Sequence, residues 1–284
     1  MKRILNIYKK AGETPLEAIN RFRADNPEYQ SVKITYAGRL DPLAEGVLIL
    51  LAGRAVYEKE KYLKLDKEYE AEIVFGFETD TYDILGMPTV GNMEKYFTRK
   101  ELGELLNKFL GKNNQPFPPY SSYKIKGKPL FEWARGGRIR EIEIPKKERE
   151  IYEIKILRLQ KIKGKNLLAQ INKKIQKVKG DFRQEKILKK WQGILKNKPT
   201  NKFQNFKNKM VHNFSDSRNC VPFLYRVEFQ TAKIKIKCSS GTYIRSVAHK
   251  LGKDFKIGAV LLDLKRIRVG RFNIRNIKKI TPLF

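Results

Sequence analysis

Hydrophobic positions along the chain recur with two periods, and the changes between them mark out its elements. Residues 4–8 alternate as a strand. Thr14-Pro15-Leu16-Glu17 then opens a helix, with a capping Thr, Pro in the first turn and Glu three residues on. Leu16, Ile19 and Phe22 are its expected buried face. The same capping logic at Thr98-Arg99-Lys100-Glu101 precedes Leu102, Leu105, Leu106, Phe109 and Leu110, with Gly111 as the stop. Residues 47–51 form a continuous apolar run, as in a buried core strand. Residues 69–75, 151–159 and 226–237 alternate as half-buried strands. Strands and helices mix without a regular βαβ rhythm, which predicts an α+β fold.

The stretch 161–210 holds sixteen Lys or Arg against two acidic residues, Asp181 and Glu185. Leu168, Ile171, Ile175 and Val178 recur at helical spacing, and Gly180-Asp181 breaks the run. Ile187, Leu188, Trp191, Ile194 and Leu195 then form a second apolar face. This predicts a two-helix hairpin between strands, within an insert spanning 161–225, followed by a solvated Asn/Lys-rich loop at 196–209. Over the whole chain 61 Lys and Arg face 30 Asp and Glu, a net charge of +31 that points to a polyanionic partner. Hydrophobic residues make up 41% of 284, enough for a core, which excludes a merely basic tail. Two cysteines, Cys220 and Cys238, make neither a zinc site nor a disulfide framework and fit a reducing cytoplasm. The N-terminus turns polar too soon for a signal peptide, and no apolar run approaches the roughly 20 residues of a membrane span. A soluble, cytoplasmic protein is expected.

The segment Gly38-Arg39-Leu40-Asp41-Pro42-Leu43-Ala44-Glu45-Gly46 sets one carboxylate between chain breakers at the mouth of the apolar run. Pro42 pushes Asp41 out of the helical region, so an extended turn is expected there. Asp41 is thus the first candidate for a reactive group. Paired with Glu45 it would suit a glycoside hydrolase, which leaves the basic charge unexplained. A nucleic-acid-binding module would need no reactive Asp, only the basic block and aromatics such as Phe117, Tyr120, Phe131 and Trp133. An enzyme acting on a nucleotide in folded RNA must extrude the base, stack it and present one reactive group to it.

Five segments, in order, resemble the bacterial tRNA pseudouridine synthase B (TruB) family. They are the Asp41 loop; Lys67-Glu68-Tyr69 with residues 76–86; residues 115–124 continuing to Ala134-Arg135; Cys238-Ser239-Ser240-Gly241-Thr242-Tyr243-Ile244-Arg245-Ser246; and residues 258–272 around Leu264-Lys265-Arg266. The resemblance implies a pseudouridine synthase fold, with a mixed, largely antiparallel sheet flanked by helices. It also implies isomerisation of a uridine in tRNA, position 55 of the T loop, without cofactor or metal. Asp41 matches the essential carboxylate, which must be ionised and which attacks the base or sugar or acts as a base at the sugar. Arg245 matches its partner, and an adjacent guanidinium fixes a carboxylate's direction. Tyr69 matches the tyrosine that stacks on the flipped base and assists proton loss from C5, and Leu264 an apolar wall of the uracil pocket.

Lys9, Lys10, Tyr36, Arg39, Lys124, Arg135 and Arg138 are candidate RNA contacts. Asp80 and Asp83 lack further ligands at metal spacing and read as loop hydrogen-bonders. His212 and His249 have no nucleophile nearby in sequence, and Glu45 reads as structural or solvent-facing. The chain departs from the family pattern at Tyr36-Ala37, where His-Thr or His-Gly is usual, and at Tyr8-Lys9-Lys10, where Asp-Lys-Pro is usual. With twelve residues after Phe272, the chain is expected to lack the C-terminal RNA-binding PUA domain of many relatives. The expectation is a single catalytic domain, residues 1–284, monomeric and acting on the T stem-loop of tRNA, in which the insert replaces part of the missing domain's affinity. Deleting 165–210 is then expected to weaken tRNA binding and flatten its salt dependence. The alternative is a tRNA chaperone of the same fold that needs no catalysis.

Overall fold

The computed structural model describes residues 3–92, 96–196 and 227–277. Its centre is a nine-stranded sheet in the order β1 (Ile4–Lys9), β3 (Glu45–Ala52), β12 (Ala259–Val269), β4 (Lys67–Phe75), β11 (Glu228–Cys238), β10 (Lys146–Lys163) and β7 (Gly111–Pro116). β2 (Ile34–Ala37) pairs with β3 and β13 (Phe272–Asn273) with β12. Every pairing is antiparallel except that of β12 with β3. Two small ribbons, β5 (Phe77–Thr79) with β6 (Pro88–Val90) and β8 (Lys124–Ile125) with β9 (Lys128–Pro129), stand apart. The expected α+β fold with a mixed, largely antiparallel sheet is the one that forms.

The apolar run selects the position of β3, because it has no polar face to offer water. Leu48, Leu50 and Ala52 pack with Ala18, Ile19 and Phe22 of α1 (Pro15–Ala24), while Val47, Ile49 and Leu51 pack with Tyr62 of α2 (Lys59–Leu63). In β4 the alternation is half-buried. Tyr69, Ala71 and Ile73 join a core with α3 (Arg99–Asn107) and a helix at Ile244–Phe255, whereas Glu68 and Glu70 pair across strands with Lys235 and Lys233. Both expected capping boxes form, Thr14 with Glu17 and Thr98 with Glu101. Two helix details differ from expectation. Leu16 is 62% exposed, because Pro15, Ala18, Ile19 and Phe22 make the buried stripe and the next position turns roughly 100° away. Leu110 is likewise exposed, since α3 ends at Asn107 and the chain is already turning into β7.

The remaining helices are α4 (Leu130–Arg135), the hairpin α5 (Gly164–Ile175) and α6 (Gln184–Lys196), and α7, the helix at Ile244–Phe255. The basic stretch thus forms its expected two helices, but they are not an appendage. Residues 161–163 complete β10. Leu168, Ile171, Ile175, Trp191 and Leu195 lie in one core cluster with Phe77, Ile84, Val260 and Leu262 of the main fold. Deleting 165–210 would strip the cover from that cluster, so the deletion would report on folding rather than on RNA affinity. Residues 197–226, which include His212, Cys220, Arg226 and most of the expected loop, lie outside the described residues.

Candidate active site

Asp41 sits on the turn between β2 and β3, rooted by the buried side chains of Leu40, Leu43 and Ala44. Two buried cations hold the backbone of this turn. Lys9 Nζ donates to the carbonyls of Lys10, Pro42 and Ala44, the last at 2.6 Å. Arg266 donates from Nε to Val47 O at 2.8 Å and from Nη2 to Gly38 O at 2.9 Å, tying the two ends of the turn together. Burial pushes the pKa of Lys9 down to about 8. Lys9 is fully buried, so it braces the loop and is not the RNA contact expected from its charge. Gly46 takes φ +110, and a Cβ there would meet the Arg266 carbonyl oxygen at 2.2 Å. Only glycine lets β12 come this close. Gly12 completes the anchoring, donating from N–H to Pro42 O and accepting at its carbonyl from Lys179 N of the hairpin.

Arg245 enters at the start of α7, just past the positive-φ turn at Gly241. Its Nε donates to Asp41 Oδ2 at 2.7 Å, Nη1 to Thr81 O at 2.7 Å and Nη2 to Tyr120 O at 3.2 Å. Asp83 Oδ2 lies 3.8 Å from the same Nε. Burial works against the guanidinium's charge, yet Asp41 and Asp83 outweigh it and raise its pKa above the ordinary value. For Asp83, burial pushes the pKa up to about 6 against the pull of Arg245. Its carboxylate accepts from Thr81 Oγ1 and Leu85 N, while Asp80 accepts from Met87 N, Tyr120 and Arg183. Both are hydrogen-bonded loop carboxylates, as expected. With all three nitrogens of Arg245 engaged, Asp41 is held by one oxygen in a fixed direction, its side chain 33% exposed to the cleft.

That cleft has a volume of about 680 Å³ and brings together Asp41, Tyr69, Arg245 and Leu264. Lys67 and Arg266 are buried at its floor, and Arg39, Arg135 and Arg183 line it nearer the surface. Burial pushes the Tyr69 hydroxyl up to about 12, with Arg266 opposing, so the phenol stays neutral at physiological pH. Of the other expected RNA contacts, Lys10 and Lys124 are exposed, and the Tyr36 hydroxyl accepts from Arg39 at 3.2 Å. Arg138 is exposed and pairs with Glu141 at 2.8 Å. Glu45 begins β3 and pairs with Lys265. His249 stacks flat on Tyr82 at 3.8 Å, away from the cleft, and burial pushes its pKa down to about 4. Lys67, Arg266 and Arg183 were not singled out in sequence; for the first two the available signal was their place inside the matched segments. Among the described residues no cluster of three or more His, Cys, Asp or Glu could hold a metal, and no helix is long and apolar enough to cross a membrane.

The sequence model of the N-terminal domain of TruB family pseudouridylate synthases matches residues 27–182. A tRNA pseudouridine synthase B of Caldanaerobacter subterraneus is 37% identical over 155 residues, covering 55% of this chain and 53% of that protein. One from Chlamydia muridarum is 30% identical over 243 residues, covering 85% and 71% respectively, and one from Clostridium kluyveri is 28% identical over 276 residues, covering 96% and 69%. Among solved structures, a Cbf5-Nop10-Gar1 complex matches with a TM-score of 0.53 at 17% identity, covering 95% of this chain and 50% of that one. An H/ACA ribonucleoprotein bound to a substrate RNA containing 2′-deoxyuridine matches with a TM-score of 0.51 at 15% identity, covering 95% and 48%. The chain therefore spans about half the length of the structures it matches, and they share its fold. By the family model, which covers more than half of the chain, and the Chlamydia relative, the chain belongs to the TruB family of pseudouridylate synthases.

Proposed function

We propose that the chain isomerises uridine to pseudouridine in tRNA, at position 55 of the T loop, with Asp41 as the catalytic carboxylate. The observation that carries this reading is the Asp41–Arg245 pair, held at 2.7 Å in a cleft of about 680 Å³, roomy enough for an extruded nucleotide. In the reaction the N1–C1′ bond breaks, the uracil turns and C1′ is rejoined to C5. The C5 hydrogen leaves as a proton and N1 gains one, so the product is an isomer and no co-substrate is consumed. Asp41 acts through the oxygen that Arg245 leaves to the cleft. Tyr69 stacks on the base as a neutral ring; with its pKa near 12 it is a poor phenolate base. Leu264 gives the pocket an apolar wall, and the net charge of +31 supplies the attraction for phosphates. The chain works as a monomeric catalytic domain in the cytoplasm. The names of the relatives support tRNA as the substrate class.

The test incubates wild type and Asp41→Asn with an unmodified tRNA transcript, maps pseudouridine at nucleotide resolution and measures binding. Product at position 55 with wild type, and binding without product for the variant, is the expected result. Binding without product from both would favour a tRNA chaperone of the same fold and sink the catalytic reading.

A further inference from the structure

The tip of the α5–α6 hairpin reaches the catalytic cleft, where Asp181, Phe182 and Arg183 form part of the lining. Arg183 Nη1 donates to Asp80 Oδ2 at 3.0 Å, and its guanidinium lies 4.9 Å from the centre of the Tyr120 ring. The Tyr120 hydroxyl donates to the same Asp80 oxygen at 2.9 Å. The three side chains therefore close a triangle. Beside it lie two backbone carbonyls, that of Thr81, next in the chain to Asp80, and that of Tyr120 itself. These are the acceptors for Nη1 and Nη2 of Arg245. We propose that Arg183 is a positioning residue: by clamping Asp80 to Tyr120 it fixes the two carbonyls that aim Arg245 at Asp41.

The tip is built to hold such a clamp. The Gln184 amide donates to Val178 O and Gly180 O and accepts from Phe182 N, so the turn is fixed internally. Arg135 donates to Asp181 O at 3.1 Å, joining α4 to it. Fully buried Trp191 donates to Ile84 O at 3.1 Å, three residues beyond Thr81. Arg183 itself takes φ +64, a conformation that costs energy in a residue other than glycine and that these bonds impose. The Arg183–Asp80 pair is partly exposed and adds little to stability. Its contribution is directional, because a planar guanidinium both pairs with a carboxylate and stacks on a ring where an ammonium only pairs.

This inference rests on the proposed pairing of Asp41 and Arg245 in catalysis. Its test compares wild type, Arg183→Ala, Arg183→Lys, Tyr120→Phe and the Arg183→Ala/Tyr120→Phe double variant. Single-turnover pseudouridine formation at saturating enzyme is measured beside tRNA affinity, per folded enzyme. The Arg183→Ala rate should fall at least about tenfold, since small misplacements of catalytic groups carry such penalties, while Kd changes by less than about twofold. Arg183→Lys should recover part of the rate, and the double variant should be no slower than the worse single one, as for groups acting through one contact. A single-turnover rate within about twofold of wild type overturns the proposal, as does a loss confined to Kd. Should Arg183→Ala not fold, the rates of Arg183→Lys and Tyr120→Phe decide by the same criterion. A wild type that forms no pseudouridine removes the catalytic reading first, and this inference with it.

Discussion

Replacing Trp191 by Ala tests whether the basic hairpin belongs to the core. The side chain is fully buried, meets Phe77 edge-on with ring centres 5.1 Å apart, and donates from Nε1 to Ile84 O. Truncating a buried Trp costs about 3–5 kcal/mol, and loss of the indole hydrogen bond adds about 1 kcal/mol. The sum, about 4–6 kcal/mol, is a large part of the 5–15 kcal/mol that typically separates folded from unfolded chains. At about 2–4 °C per kcal/mol for a chain of this order of size, the melting temperature should drop by roughly 8–24 °C. Thermal melts followed by far-UV circular dichroism give the drop. Urea titration should show the midpoint lowered with the slope unchanged. Trp191→Phe, which keeps most of the volume, should lose much less. A melting temperature within about 2 °C of wild type would refute the packing argument and make the hairpin an appendage after all.

Three further outcomes follow from particular side chains. Glu45→Gln should leave pseudouridine formation within about threefold of wild type, because Glu45 pairs with Lys265; abolition would show that the reaction needs a second carboxylate beside Asp41. Changing exposed Lys179, Lys186 and Lys190 together to Gln should reduce the slope of log tRNA affinity against log salt by about 2–3, without lowering the melting temperature. An unchanged slope would show that these lysines do not meet phosphates. His249 has its pKa pushed from 6.5 down to about 4, so the unfolded chain binds more protons than the folded one between those values. Stability therefore falls as pH drops from 6.5 to 4, by at most about 3–4 kcal/mol and by about 1–2 kcal/mol after allowing for partial exposure. His249→Phe should flatten that part of the curve of urea midpoint against pH, and an identical curve would refute the assignment.

The four central side chains were legible because each sits in a short segment with its own signature, as with Asp41 ahead of Pro42 or Arg245 after Gly241. The two hairpin helices were legible from apolar spacing alone. What that spacing does not carry is the identity of the surface covered: Phe77 and Trp191 meet although 114 positions separate them. Lys9 and Lys10 illustrate the same limit more sharply. Composition treats them alike, yet the strand's alternation turns Lys9 inward, onto carbonyls of Pro42 and Ala44 that are 33 and 35 positions away. In α1 the small Ala18, not the larger Leu16, faces the sheet, because the inner stripe is set by the geometry of the helix and not by side-chain size. Arg183 had no local signal, since its partners Asp80 and Tyr120 come from two other loops.

The order of strands in the sheet differs from the order in which they are synthesised. β3 and β4 are separated by β12, which is made some two hundred residues after β3. While the chain emerges from the ribosome, the facing edges of β3 and β4 stay unpaired, and such edges invite mispairing with other chains. The Asp41 loop at that stage also lacks Arg266 to tie its ends and Arg245 to orient its carboxylate. A folding route dominated by contacts this distant in sequence is slow. It also means that the Asp41 loop of an incomplete chain is unbraced, and that the site is assembled only when α7 and β12 dock.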